Sequence, residues 1–176
     1  MPSLVVGAYL ALGSNLGDRL HNLQSAVRRL AEHPQVCVTH GSSVFETRAH
    51  TQTADDVQPD YLNAVVKVCT ALAPAELLAI TQAIEREGGR LRTRVGWEPR
   101  TLDIDLLAYG ALTFSAGDLI IPHPRLDRRR FVLAPWAAIA PDFFVPSPFD
   151  ATVADLLARC EDTGKVSVFA GNLLDS

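Results

Sequence analysis

Along the first hundred residues the apolar positions alternate between two periods. Residues 5–12, VVGAYLAL, form a short apolar run ending in GSNLGD, a cluster of turn and cap residues, which predicts a strand followed by a helix start. From Asp18 onward Leu20, Leu23, Val27 and Leu30 recur at helical spacing until Pro34 stops the pattern, so an amphipathic helix is expected. Val36 to Thr47 is rich in β-formers on either side of Gly41 and reads as one strand with a bulge or kink at the glycine. The polar stretch RAHTQTADDVQPD predicts a long exposed loop. Beyond it Leu62, Ala64, Val66 and Val68 alternate with Asn63, Lys67 and Cys69, the period of a strand with one face on a core. Pro74 suits the first turn of a helix that carries Leu77, Leu78 and Ile84 and closes at Gly88-Gly89. A second, arginine-rich loop leads into RTLDIDLL at 100–107, another strand.

The order strand, helix, strand, strand, helix, strand matches a split βαβ unit. An α+β fold is therefore expected, with a ferredoxin-like core whose two helices cover one face of an antiparallel sheet and leave the opposite face free to carry charge. Two further apolar helical patterns, near 128–140 and 151–160, supply C-terminal helices. A chain of 176 residues suffices for one domain with a real core and is short for two, so a single domain over 1–176 is expected. The N-terminal apolar run lacks a basic segment ahead of it and is far too short to cross a bilayer, which predicts a cytoplasmic protein with no membrane partner. Cys37, Cys69 and Cys160 are widely separated and lack C-x-x-C spacing; buried free thiols are expected.

Asp103 and Asp105 stand one residue apart in an otherwise apolar strand. Burying an unpaired ionised carboxylate costs several kcal/mol or more. Alternation resolves part of the conflict, because Leu102, Ile104 and Leu106 point one way and the two aspartates the other. Carboxylates at i and i+2 lie roughly 6.5–7 Å apart along a strand and can converge on one cation or on two. A hard metal with oxygen ligands, above all Mg²⁺ completed by water and phosphate, fits such a pair; a solvated sheet face with arginine partners is the alternative.

The charge distribution bears on that choice. A net charge of −4 argues against a protein that coats a nucleic acid. Yet Arg86, Arg90, Arg92, Arg94 and Arg100 cluster in one stretch, and Arg125, Arg128, Arg129 and Arg130 in another. Phosphoryl-type transfer needs both metal ligands and arginine clamps, since its catalysis is chiefly positioning and charge neutralisation. There is no G-x-x-x-x-G-K-[ST] stretch, so no P-loop holds a nucleotide, and GSNLGD reads as a turn and helix cap. A two-metal nucleotidyltransferase or nuclease, and a non-enzymatic RNA-binding or small-molecule-sensing sheet, remain as alternatives. The analogous strands carry Asp and Asn where an RNA-binding sheet would carry aromatics.

The segments ALGSNLGDR (11–19), DYLNA (60–64), EREGGRLR (85–92), the W-x-P-R-T-L-D-I-D-L-L run (97–107) and IPHPR (121–125) resemble, in order and spacing, the 6-hydroxymethyl-7,8-dihydropterin pyrophosphokinases of folate biosynthesis. The resemblance covers about residues 5–146. It implies a ferredoxin-like fold, ATP and 6-hydroxymethyl-7,8-dihydropterin as the small-molecule partners, and two Mg²⁺ ions. It further implies transfer of the β,γ-diphosphate of ATP to the pterin hydroxymethyl oxygen, and a monomer is expected.

By that resemblance Asp103 and Asp105 hold the metals, Asp103 also faces the pterin, and Asp105 acts with Arg92 and Arg100 in catalysis. Gln82, Glu85, Arg90, Arg92, Arg100, Leu106, His123 and Arg129 fall on the ATP side. Thr47, Tyr61, Asn63, Trp97 and Phe131 fall on the pterin side, with Tyr61 and Phe131 as the aromatic pair and Asn63 as the amide that reads the ring edge. Taken from the residues alone, Tyr61 and Phe131 would be core aromatics and Glu85 a surface charge. Gly96, Glu98 and Arg48 depart from the family's usual residues.

Overall fold

The computed structural model describes residues 4–48, 59–88 and 101–175. In chain order the elements are β1 (Val6–Ser14), α1 (Arg19–Glu32), β2 (Val36–Gly41), β3 (Ser43–Thr47), β4 (Tyr61–Thr70), α2 (Pro74–Glu87) and β5 (Asp103–Tyr109). A small hairpin, β6 (Phe114–Ala116) and β7 (Leu119–Ile121), follows, then α3 (Arg130–Ile139), the pair β8 (Phe144–Val145) and β9 (Ala151–Thr152), α4 (Val153–Ala158) and β10 (Val166–Asn172). The main sheet runs β10-β3-β4-β1-β5, with β2 also on β4, and every pairing is antiparallel.

The expected order up to residue 107 is present, including the kinked strand. β2 and β3 lie end to end along one side of β4, Gly41 level with Val66 and Phe45 with Asn63. Between them the Ser42 N–H donates to the Val65 carbonyl at 2.9 Å and the Ser42 hydroxyl accepts from the Val65 N–H at 3.0 Å, so the ladder survives the kink. Glycine is needed there for packing: a Cβ on Gly41 would stand 2.7 Å from Leu174 Cγ.

Helices α1 and α2 start and stop where the sequence places their caps. The Asp18 carboxylate accepts from the His21 N–H at 3.0 Å, and Pro74 opens α2. Leu23, Ala26, Val27 and Leu30 of α1 and Leu77 and Ile84 of α2 are buried against Leu10, Leu12, Ala64, Val66 and Ile104. An Arg29–Glu87 ion pair ties the two helices together at the surface.

The expectation of a free opposite face needs correction. Leu133 and Trp136 of α3 and Val153 and Leu156 of α4 form a second buried cluster with Tyr9, Val65 and Leu107. The sheet is therefore sandwiched over part of its area. A bulge in β5 serves this arrangement. Pairing with β1 slips between Tyr9 and Leu10, so Leu107 and Ala108 both face the second cluster while Tyr109 returns to the first. The C-terminal patterns near 128–140 and 151–160 are helical as expected, whereas β10 had no forerunner in the sequence reading. The cysteines are free thiols, but not buried ones: Cys37 is exposed, Cys69 and Cys160 are partly so, and Cys37 and Cys69 face each other across β2 and β4.

The buried Tyr109 hydroxyl donates to the Leu72 carbonyl at 2.6 Å, tying β5 to the turn before α2. Tyr109→Phe is expected to cost about 1 kcal/mol, because it removes the donor and leaves a buried carbonyl unpaired. Urea denaturation measures this as a lower midpoint with an unchanged slope, and an unaltered midpoint contradicts it.

Candidate active site

Among the described residues strand β5 lies at the edge of the main sheet, and this fact organises the site. Asp103 is level with Gly13 and Asp105 with Ala11, so both carboxylates rise from the face that carries the second helical layer, and both remain partly exposed. Ile104 and Leu106 project to the opposite face and are buried there.

A cleft of about 480 Å³ wraps around this edge. Gln82 and Glu85 of α2 line it from one face of the sheet; Asp103, Asp105, His123 and Arg129 line it from the other, with Leu106 between them. Seven of the sequence-predicted residues thus meet in one cavity, of a size suited to a small molecule. Arg125, from the second arginine cluster, also lines it, and so does Asp118, which was not foreseen because only the β6–β7 hairpin, whose turn carries it, brings it there.

Glu85 is not the surface charge its residue type suggests. It is 3 % exposed, and its Oε1 accepts the Ile104 N–H at 2.8 Å. An edge strand turns every second amide outward, so Glu85 occupies one outward amide of β5, and by alternation the Leu106 backbone faces the same side.

Around Asp105 the charges are balanced. Arg129 Nη1 donates to Asp105 Oδ2 at 3.1 Å. His123 Nε2 stands 3.8 Å from the same oxygen, beyond hydrogen-bond reach. The Arg125 N–H donates to His123 Nδ1 at 3.2 Å, which leaves the ring proton on Nε2, toward the cleft. Burial lowers the His123 pKa below its ordinary value; Asp105 opposes that shift, while Arg129 and Arg125 add to it. His123 therefore enters neutral pH uncharged, as a directed N–H donor. Its backbone N–H is anchored on the Leu107 carbonyl at 2.9 Å, which fixes it beside β5.

The donor set fits a hard divalent cation. Two carboxylates on one strand face, partly open to a cleft with Arg and His donors, leave room for coordination by phosphate and water, the way Mg²⁺ is usually held. Among the described residues no third His, Cys, Asp or Glu completes an all-protein cage.

Beside the aspartates the same face continues as a row in register: Asp103, Gly13, Asn63 and Phe45. Asn63 is buried and donates from Nδ2 to the Thr47 hydroxyl at 2.7 Å, and Thr47 is level with Tyr61. A Cβ on Gly13 would come within 3.3 Å of Asn63 Oδ1, so glycine keeps this floor open. A second cavity, of about 590 Å³, is lined by Thr47, Arg48, Asp60, Phe131, Asp162 and Lys165 among others. The Arg129 guanidinium, which lines the first cavity, lies 5.9 Å from the centre of the Phe131 ring, which lines the second. Asp162 and Lys165 reach the second cavity because β10 pairs with β3, and no sequence signal announced them. Tyr61 is half-buried on the Asn63 face rather than a core aromatic, and Phe131 is likewise partly buried. Arg90, Arg92, Trp97 and Arg100, expected in the site, lie outside the described residues, as do most of the two predicted loops.

The sequence profile of the 7,8-dihydro-6-hydroxymethylpterin-pyrophosphokinase family matches residues 9–141. The chain belongs to this family. A 2-amino-4-hydroxy-6-hydroxymethyldihydropteridine pyrophosphokinase of Bacillus subtilis is 47 % identical over 132 residues, 75 % of this chain and 77 % of that protein. One from Synechocystis is 39 % identical over 170 residues, 97 % of this chain and 84 % of its own length. The mitochondrial folate synthesis bifunctional protein of Arabidopsis thaliana is 46 % identical over 126 residues, 72 % of this chain but 22 % of that protein. Among solved structures, the Plasmodium falciparum HPPK-DHPS with pteroate superposes with a TM-score of 0.71 at 14 % identity, over 90 % of this chain and 45 % of that one. This chain thus spans less than half of that solved chain, and at such identity the likeness speaks for the fold. The pyrophosphokinase profile ends at residue 141, so α4 and β10 lie beyond it.

Proposed function

We propose that the protein transfers the β,γ-diphosphate of ATP to the hydroxymethyl oxygen of 6-hydroxymethyl-7,8-dihydropterin, giving AMP and the pterin diphosphate for folate synthesis. Family membership supports the reaction class. The cleft that wraps the edge of β5 and gathers Gln82, Glu85, Asp103, Asp105, Leu106, His123 and Arg129 is the observation that carries the residue assignment. Asp103 and Asp105 would hold two Mg²⁺ ions, which neutralise phosphate charge and acidify the attacking alcohol when bound.

The remaining roles belong to the chain's own groups. The outward backbone of β5 at Leu106, framed by Gln82, suits the edge of an adenine. His123 Nε2–H and Arg129 donate to phosphate oxygens, and Arg129 exchanges its Asp105 partner for phosphate when substrate enters. Arg90, Arg92 and Arg100 complete the phosphate set by their place in the family motif, and Arg92 and Arg100 assist the transfer. On the acceptor side, Asn63 and Thr47 present an amide and a hydroxyl to the pterin edge, Asp103 lies beside them, and Tyr61, Phe131 and Trp97 supply flat faces. We also read the chain as a single-domain cytoplasmic monomer.

Incubation with ATP, Mg²⁺ and the pterin alcohol tests the reading. AMP is expected to appear only when the pterin is present. ADP in its place would indicate transfer of one phosphoryl group, and nucleotide turnover indifferent to pterin would refute the acceptor.

A further inference from the structure

The GSNLGD segment reads from sequence as an ordinary turn and cap, and beyond Gly13 the site described above makes no use of it. Its hydrogen bonds exceed what a cap requires. Gly17, at φ +65°, turns the chain from β1 into α1 in the left-handed region that favours glycine. On one side of this turn the buried Asn15 donates from Nδ2 to the Pro59 carbonyl at 3.3 Å. Arg19 Nη1 donates to the Asp60 carbonyl at 2.7 Å and pairs with Glu46 Oε1 at 2.9 Å. The same guanidinium lies 5.6 Å from the ring centre of Phe169 on β10. Glu46 and Asp60 flank Thr47 and Tyr61 and line the acceptor-side cavity.

On the other side Asn22 Nδ2 lies 3.1 Å from the Thr101 carbonyl, two residues before Asp103. The same amide is shared with the Leu16 carbonyl at 2.9 Å and the Ser14 hydroxyl at 3.2 Å. The run Asn15–Asn22 therefore grips both the β3–β4 neck and the entry to the metal strand. Those two places are separated in sequence by the whole of β4 and α2.

We propose that the β1–α1 junction is a two-armed positioning element: Arg19 and Asn15 set the acceptor-side neck, and Asn22 sets the entry to β5. These are positioning residues, because each acts through a backbone or side-chain partner rather than on substrate. The inference rests on the proposed function for the identity of the two ligands. It adds that each arm governs one of them. Thr101 fixes where Asp103 begins, so Asn22 controls the metal–nucleotide side; Glu46 and Asp60 frame Thr47 and Tyr61, so Arg19 controls the pterin side.

Equilibrium binding separates the arms without relying on turnover. Titration calorimetry is run with the pterin alcohol, and separately with Mg²⁺ and the α,β-methylene analogue of ATP, on full-length wild type, Arg19→Ala and Asn22→Ala. Arg19→Ala is expected to weaken pterin binding by about tenfold and leave the nucleotide within about twofold; Asn22→Ala is expected to do the reverse. Arg19→Lys, which keeps a charged donor, recovers part of the pterin affinity. If either alanine variant lacks a cooperative thermal transition, Arg19→Lys or Asn22→Ser is read in its place for the same split. Equal losses of both ligands, or unchanged affinities, overturn the two-armed role and leave a merely structural turn. Wild type that binds neither ligand overturns the proposed function itself, and this inference with it.

Discussion

Asp105→Ala is expected to lower kcat by about three orders of magnitude, equivalent to about 4 kcal/mol of lost transition-state stabilisation. Asp105 accepts from Arg129 and is the carboxylate nearest His123, so it sits where the cleft's positive charge converges. Its removal takes away an oxygen donor for metal and leaves Arg129 without its counter-charge. Arg129 is partly exposed, however, and water replaces that partner at little cost. The melting temperature should therefore stay within a few degrees of wild type, separating loss of function from loss of fold. Asp103→Ala is expected to behave alike. Steady-state kinetics at saturating ATP and pterin decide the matter: near-normal kcat in either variant removes the aspartates from the metal role.

Glu85→Ala should damage both stability and turnover, a different signature. Its carboxylate is buried and takes the Ile104 N–H, the amide between the two aspartates. Truncation leaves that amide unpaired in a dry place, at a cost of about 1–3 kcal/mol. It also frees the edge strand to shift, and misplacing catalytic groups by about 1 Å can cost a hundredfold in rate. Glu85→Gln keeps an acceptor oxygen for Ile104 and should recover most of the stability. Urea denaturation and kcat are measured side by side on the two variants. An alanine variant as stable as wild type would show that β5 is held by other means.

Much of the frame was legible because local periodicity and capping agree with the tertiary packing. Asp18 and Pro74 start their helices where the caps stand, and the alternation of β4 sorts Leu62, Ala64, Val66 and Val68 onto one core and Asn63 and Val65 onto the other face. Asp103 and Asp105 were legible for the same reason, since a period of two places them together whatever the sheet order. Residue type alone makes Glu85 a surface charge, because burial of a carboxylate depends on an amide nineteen positions away in sequence. The second helical layer was not anticipated over the sheet, since the apolar faces of α3 and α4 do not specify what they cover.

The sequence alone determined the element order up to residue 107, the kink at Gly41 and the pair of carboxylates on one strand face, all set by spacing over a few residues. Tertiary structure decided that β5 lies at the sheet edge, that Glu85 holds it there, that β10 walls the acceptor-side cavity with Asp162 and Lys165, and that a turn in the first strand–helix unit grips both halves of the site. These contacts join residues tens of positions apart. Their partners are chosen by packing in three dimensions, which no local period encodes.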